Sequence, residues 1–215
     1  MSIYSESIKM HRVKGGVLSV TSKIKIKNHK DLSLAYTPGV AGVSRAIAKS
    51  KRKAKSLTFK KNSVAIVSDG SAVLGLGNIG AEAALPVLEG KALLFKEYAG
   101  IDGVPLALHT QKVEEIVSVV KKIEPTFGGI NLEDISAPRC FEIESKLQDI
   151  GIPVFHDDQH GTSIVVLAGL LNACKVLKKK LEDCKIVING AGAAGTAITR
   201  LLECVGYGKK VCSPV

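Results

Sequence analysis

The sequence lacks an apolar run that could cross a membrane: its longest, over residues 163–171, falls far short of the roughly 20 residues a spanning helix needs. The N-terminus lacks the apolar core of a secretory signal, so a cytoplasmic chain is expected, with no membrane partner. Paired cysteines are missing too. Cys140, Cys174, Cys184, Cys204 and Cys212 are odd in number and contain no Cys-x-x-Cys, which argues against a disulfide framework and against a zinc site. Most of them are expected to be buried, reduced thiols. The most basic stretch, Lys49-Ser50-Lys51-Arg52-Lys53-Ala54-Lys55, contains no aromatic ring on which a base could stack. No internal repeat of fixed period is evident.

What is present is an ordinary globular composition. At 215 residues, 46% hydrophobic and 23% charged, the chain can bury a sizeable core, as one large domain or two small ones. Its net charge of +10 is uneven. Residues 1–61 hold 15 of the 30 Lys and Arg against only Glu6 and Asp31, a local +13, while the remainder is slightly acidic. Charge runs usually mark a solvated helix face, and that is the reading taken here ahead of an anionic effector or nucleic acid. No nucleic-acid partner is expected.

Along the chain, the polar first thirty residues suggest an arm or small hairpin, and Thr37-Pro38-Gly39 a turn ahead of an amphipathic stretch over residues 40–48. From residue 63 a rhythm sets in. Strand-like runs at residues 64–67, 104–108, 127–130, 153–155 and 185–188 alternate with longer helical patterns, among them residues 110–123 and 138–150. Such alternation implies parallel pairing through crossover helices, so the predicted class is α/β. The polar turn at residues 156–160 suggests a division: a small α/β unit over residues 1–154, then an incomplete Rossmann-like unit over residues 155–215.

Gly190-Ala191-Gly192-Ala193-Ala194-Gly195 fits G-x-G-x-x-G between a predicted strand and a helical pattern from residue 196. Glycines there permit a tight turn and bring backbone N–H groups close to a pyrophosphate at a helix N-terminus. A bound dinucleotide is therefore expected. The acidic residue that reads the ribose would fall about 20 residues on, at residues 211–215, so NAD and NADP are not separated. A second match, Gly75-Leu76-Gly77-Asn78-Ile79-Gly80, reads better as a packing turn that also borders the cofactor through Gly75, Gly77, Asn78 and Gly80.

Glu133-Asp134 and Asp157-Asp158 follow two predicted strands about 25 residues apart, so a parallel βαβ unit would bring both pairs to adjacent strand ends. Convergent carboxylates suit Mg2+ or Mn2+, which prefer oxygen ligands and keep positions open for substrate. The plainer alternative is helix capping by isolated acids. Tyr36 beside its turn could donate a proton, although a lone tyrosine is usually structural. Lys91, in the apolar run Gly90-Lys91-Ala92-Leu93-Leu94-Phe95, is a cation whose pKa desolvation would lower towards that of a useful base.

Taken together, Asp31 to Val40, Val73 to Gly80, Glu89-Gly90-Lys91, Ala99 to Asp102, Asn131 to Ile135, His156 to Thr162 and Asn189 to Gly195 resemble the malic enzyme family, most closely its shorter microbial type. The resemblance implies oxidation of malate at C2 with hydride transfer to NAD or NADP, then decarboxylation of metal-bound oxaloacetate to pyruvate and CO2. It makes Lys91 the base for the C2 hydroxyl, Tyr36 the acid that protonates enolpyruvate, and Glu133, Asp134 and Asp158 the ligands of Mg2+ or Mn2+. Asp157 becomes a tuner of Lys91. A homo-oligomer, expected to be a dimer, goes with it.

The chain departs from the family at two places. Larger members carry a substrate-binding arginine where this chain reads Ser71-Ala72-Val73, and the family's later strands and malate-binding asparagines have no counterpart in these residues. Little or no malic activity is therefore expected of the chain alone. Two other readings compete: a metal-independent, amino-acid-type dehydrogenase, and a non-catalytic metal-binding or oligomerising fragment.

Overall fold

The structure is a computed structural model that describes residues 2–207. Four parallel strands, β1 (Ser63–Ser68), β2 (Asp102–Ala107), β3 (Gly129–Leu132) and β4 (Val154–His156), form one sheet in the order β2-β1-β3-β4. Strand β1 is buried almost throughout because its alternate side chains serve two cores. Ala65 and Val67 pack with Ile116, Val120 and Ile143 of α6 (Val113–Ile123) and α7 (Arg139–Lys146), while Ile66 packs with Leu88 and Ala92 of α5 (Ala81–Ala99). Covering both faces is what an all-parallel sheet requires. The predicted α/β class holds.

Local signals explain the helix ends. Gly100, at φ 67°, closes α5 in the left-handed conformation that a glycine reaches without a Cβ penalty. Helix α6 carries Glu114 and Glu115 in its first turn and Lys121 and Lys122 in its last, each complementing the helix dipole. Helix α8 (Asp157–Val176) starts directly from β4, and α9 (Ala193–Leu202) packs against it.

The N-terminal segment differs from the arm or hairpin expected. It forms α1 (Ile3–Lys14), capped by Ser2 and ended by Gly15 at φ 70°, followed by an extended stretch with no strand. The run at residues 17–26 meets no pairing partner; it is tied down instead by the Val17 N–H donating to Glu89 and by Lys23 reaching Asp102. Next come α2 (His29–Ala35), α3 (Val40–Lys49) and α4 (Ala54–Leu57). None of these four helices buries a residue, and Ile3, Tyr4, Ile8, Val13 and Leu34 stand exposed.

Two further expectations fail. Among the described residues, 185–188 form no named strand and join none of β1–β4, and Val187 alone of them carries a bridge. The polar turn at residues 156–160 is already the first turn of α8, where Asp157 and Asp158 favour the helix N-terminus. Among the described residues, no helix is long and apolar enough to cross a membrane.

Candidate active site

The connection from β1 runs to β2 on one side and that from its other neighbour, β3, runs to β4 on the other, which opens a crevice beyond the C-terminal ends of β1 and β3. The acidic residues collect there. Parallel pairing sets Leu132 opposite His156, which brings Glu133-Asp134 and Asp157-Asp158 out side by side. One carboxylate oxygen from each of Glu133, Asp134 and Asp158 lies within 4.8 Å of the others.

The cluster is poorly solvated. Glu133 is 4% exposed and Asp134 3%, and burial raises Glu133 to about 7 and Asp134 to about 6. Asp134 Oδ2 is buried with no hydrogen-bond partner. Neither Glu133 nor Asp134 opens a helix, so capping does not explain them. Three convergent carboxylates, one with an orphaned oxygen, are a donor set that fits a hard divalent cation.

Lys91, from the middle of α5, is the neighbouring cation. Its Nζ lies 2.7 Å from Asp157 Oδ2 and 3.3 Å from Glu133 Oε1. The expected lowering of its pKa does not occur in this arrangement. Burial does push it down, but the hydrogen bond it donates to Asp157 and the charges of Glu133 and Asp157 outweigh burial and hold it above its ordinary value. Gly161 helps to place Asp157, because a Cβ there would run into the Asp157 carboxylate.

Tyr36 is not gathered into this cluster. It is 67% exposed at the end of α2, and no hydrogen bond joins its phenol to Lys91 or to the acids. In the loop between β1 and α5, the Ile79 and Gly80 N–H groups both donate to the Gly70 carbonyl, and Val73 bridges Gly77. Asn78 exchanges hydrogen bonds with Gln111. Gly75 has open space around it. At the second glycine turn, Gly190 takes φ 113°, Gly192 caps α9, and a Cβ on Gly195 would strike the Gly190 carbonyl oxygen. Ala193 and Ala194 begin the helix, with Ala191 just before it in the turn. Residues 211–215, where a ribose-reading acid was expected, lie outside the described residues.

Sequence reasoning missed the side chains that brace the site. Buried Glu144 of α7 accepts hydrogen bonds from the His156 N–H and from Gln159 Nε2, and its Oε1 lies 2.8 Å from His160 Nε2, so it grips the β4–α8 junction. Fully buried His156 faces Asp158 Oδ2 at 3.2 Å through Nε2, and burial lowers its pKa. Asn131 donates to Glu133 Oε2. Buried Asp69 accepts from Ser71 and Arg139, Ser71 accepts from the Ser136 N–H, and the Ala72 N–H donates to the Asp134 carbonyl. These bonds hold Asp134 at φ 54°. Asp69 and Asn131, each one residue from the end of β1 or β3, had that position as their only sequence signal; nothing in the sequence marks Glu144.

The described cysteines are all free, but only Cys140 and Cys174 are buried; Cys184 is partly exposed and Cys204 exposed, because three of the four lie on or beyond α8, away from the main core. Cys212 lies outside the described residues.

Comparison with known proteins agrees with this architecture. The family model described as the malic enzyme N-terminal domain matches residues 16–112 and 105–148, and that of the malic enzyme NAD binding domain matches residues 159–207. An NAD-dependent malic enzyme from Geobacillus stearothermophilus is 63% identical over 89% of this chain and 40% of its own length. A bifunctional malic/malolactic enzyme from Bacillus subtilis is 56% identical over 96% of this chain and 50% of its own. The crystal structure of an NAD-dependent malic enzyme from Thermotoga maritima superposes with a TM-score of 0.90 at 51% identity, covering 95% of this chain and 54% of that one. The chain thus spans about half the length, or less, of the relatives it matches. With one family model covering more than half of the chain and the acidic crevice at its strand ends, the chain belongs to the malic enzyme family.

Proposed function

We propose that this chain carries the malate- and metal-binding half of an NAD- or NADP-dependent decarboxylating malate dehydrogenase, which converts malate to pyruvate and CO2. The observation that carries the proposal is the triad Glu133, Asp134 and Asp158 within 4.8 Å, with the Lys91–Asp157 pair beside it. In this reading residues 1–154 form the substrate and metal unit, and residues 155–215 open the dinucleotide unit. The β4–α8 junction belongs to both.

Glu133, Asp134 and Asp158 would hold Mg2+ or Mn2+. When bound, the cation supplies Lewis acidity towards the substrate's oxygens and offsets the carboxylate charge that raises Lys91. Lys91 Nζ takes the C2 hydroxyl proton, and the Asp157 carboxylate holds the ammonium that results. The turn Gly190, Ala191, Gly192, Ala193, Ala194 and Gly195 would hold the dinucleotide's pyrophosphate, with Gly75, Gly77, Asn78 and Gly80 along its border, and the dinucleotide would supply the acceptor for the C2 hydride. After CO2 departs, the Tyr36 phenol gives its proton to the enolpyruvate carbon.

That last step needs Tyr36 at a cluster from which it stands apart within one chain. The unburied apolar residues of α1 and α2 support the remedy, a homodimer in which these helices are covered and Tyr36 serves a crevice. Free cysteines support a reducing, cytoplasmic setting. Malate and pyruvate are the small-molecule partners; nucleic acid and membrane are not partners in this reading.

Decarboxylation of oxaloacetate tests the metal and substrate half by itself, because it needs no dinucleotide. With Mn2+ the chain should exceed the rate of Mn2+ alone, and Glu133→Gln should return it to that background. Equal rates for the two proteins would remove the reading.

A further inference from the structure

The two thiols that end α8 and the loop after it stand side by side. Cys174 Sγ lies 3.7 Å from Cys184 Sγ, ten residues further along the chain. Cys174 is 8% exposed, and Cys184 is partly exposed. Cys174 borders an open cavity that Lys175, Lys179, Lys180, Glu182 and Asp183 also line, so the pair lies at the surface. Neither thiol belongs to the crevice, and neither serves the reaction proposed above.

We propose that Cys174 and Cys184 form a peroxide-oxidisable dithiol, a modification site that closes into a disulfide between the end of α8 and the segment entering the Gly190 turn. Cys184, the more accessible thiol, attacks hydrogen peroxide; the O–O bond breaks, Cys184 becomes a sulfenic acid, and one water leaves. The Cys174 thiolate then attacks the Cys184 sulfur, the S–O bond breaks, and the hydroxide takes up the Cys174 proton as a second water. In sum, two thiols and one peroxide give one disulfide and two waters. Burial and the adjacent Cys184 thiol hold Cys174 above its ordinary pKa, which suits the resolving role better than the first attack. The Sγ separation exceeds a disulfide bond by less than 2 Å, roughly what rotating one side chain supplies. Closure therefore asks no rearrangement of α8.

The test treats the native chain with hydrogen peroxide, blocks remaining thiols and maps the digest by mass spectrometry. The expected product is a peptide pair joined through Cys174 and Cys184, lighter by about 2 Da and restored by dithiothreitol. Cys174 and Cys184 should disappear together, one for one, as the disulfide forms. Cys174→Ser should leave Cys184 as a sulfenic acid that dimedone captures, with unchanged circular dichroism. Cys184 accumulating as a sulfenic or sulfinic acid in the unsubstituted chain, a link between two chains, or loss of Cys184 without loss of Cys174 would each overturn the proposal.

Discussion

Gly161 decides where the Asp157 carboxylate can lie, since any Cβ at that position meets it one helical turn away. Alanine is the better helix former by about 1 kcal/mol, so Gly161→Ala should not lower the thermal midpoint. It should displace Asp157 from Lys91 and so let the Lys91 pKa fall, read from the pH dependence of its acylation by acetic anhydride. A variant in which that pH dependence is unchanged would show that the Asp157–Lys91 contact is incidental. Lys91 invites the complementary change. It is the cation that faces Glu133 and Asp157, so Lys91→Met leaves like charges unopposed and should cost about 1–3 kcal/mol without metal, a value kept low by partial exposure. Added Mn2+ should return most of that loss, as read by thermal denaturation.

The two glycine turns differ in what they pack against. At Gly195 the obstruction is the Gly190 backbone, which cannot swing aside as a side chain can, so Gly195→Ala should destabilise α9 by about 1–3 kcal/mol. Hydrogen exchange confined to α9 and its turn would report the change; uniform exchange across the sheet would count against it. Strands β1–β4 were legible because buried parallel strands read as short continuous apolar runs, and the convergence of Glu133, Asp134 and Asp158 followed from strand order alone. The run at residues 185–188 has the same apolar character yet joins none of β1–β4, because pattern records burial potential and not which sheet a run enters. Helix α1 was missed because its apolar residues bury nothing, leaving Ser2 and Gly15 as its only signals. The brace formed by Glu144 with His156, Gln159 and His160 joins residues 12 to 16 positions apart on different elements, and only tertiary packing reveals it.

Across the whole molecule, charge and apolar surface are unevenly placed. The basic N-terminal quarter contributes exposed helices, whereas the acidic crevice concentrates buried carboxylates near one lysine. Burial raises Glu133 and Asp134 to about 7 and 6, so the folded chain holds their protons more tightly than the unfolded chain does. The resulting stability is fully present below the ordinary carboxylate range and is lost as pH rises through 6 and 7. A cation needs both groups ionised, so its affinity should climb over that same interval and binding should release protons. At a hundredfold excess over Kd, Mn2+ should stabilise by about 2.7 kcal/mol near pH 7.5, a rise of roughly 5–10 °C, and by much less at pH 5. The most direct measurement of the central claim is Mn2+ titration of the chain and of Asp158→Asn by calorimetry at pH 7.5. One bound cation per chain, weakened at least about tenfold by the substitution, is the predicted result. Binding that the substitution leaves unchanged, or no binding by the unsubstituted chain, would contradict it.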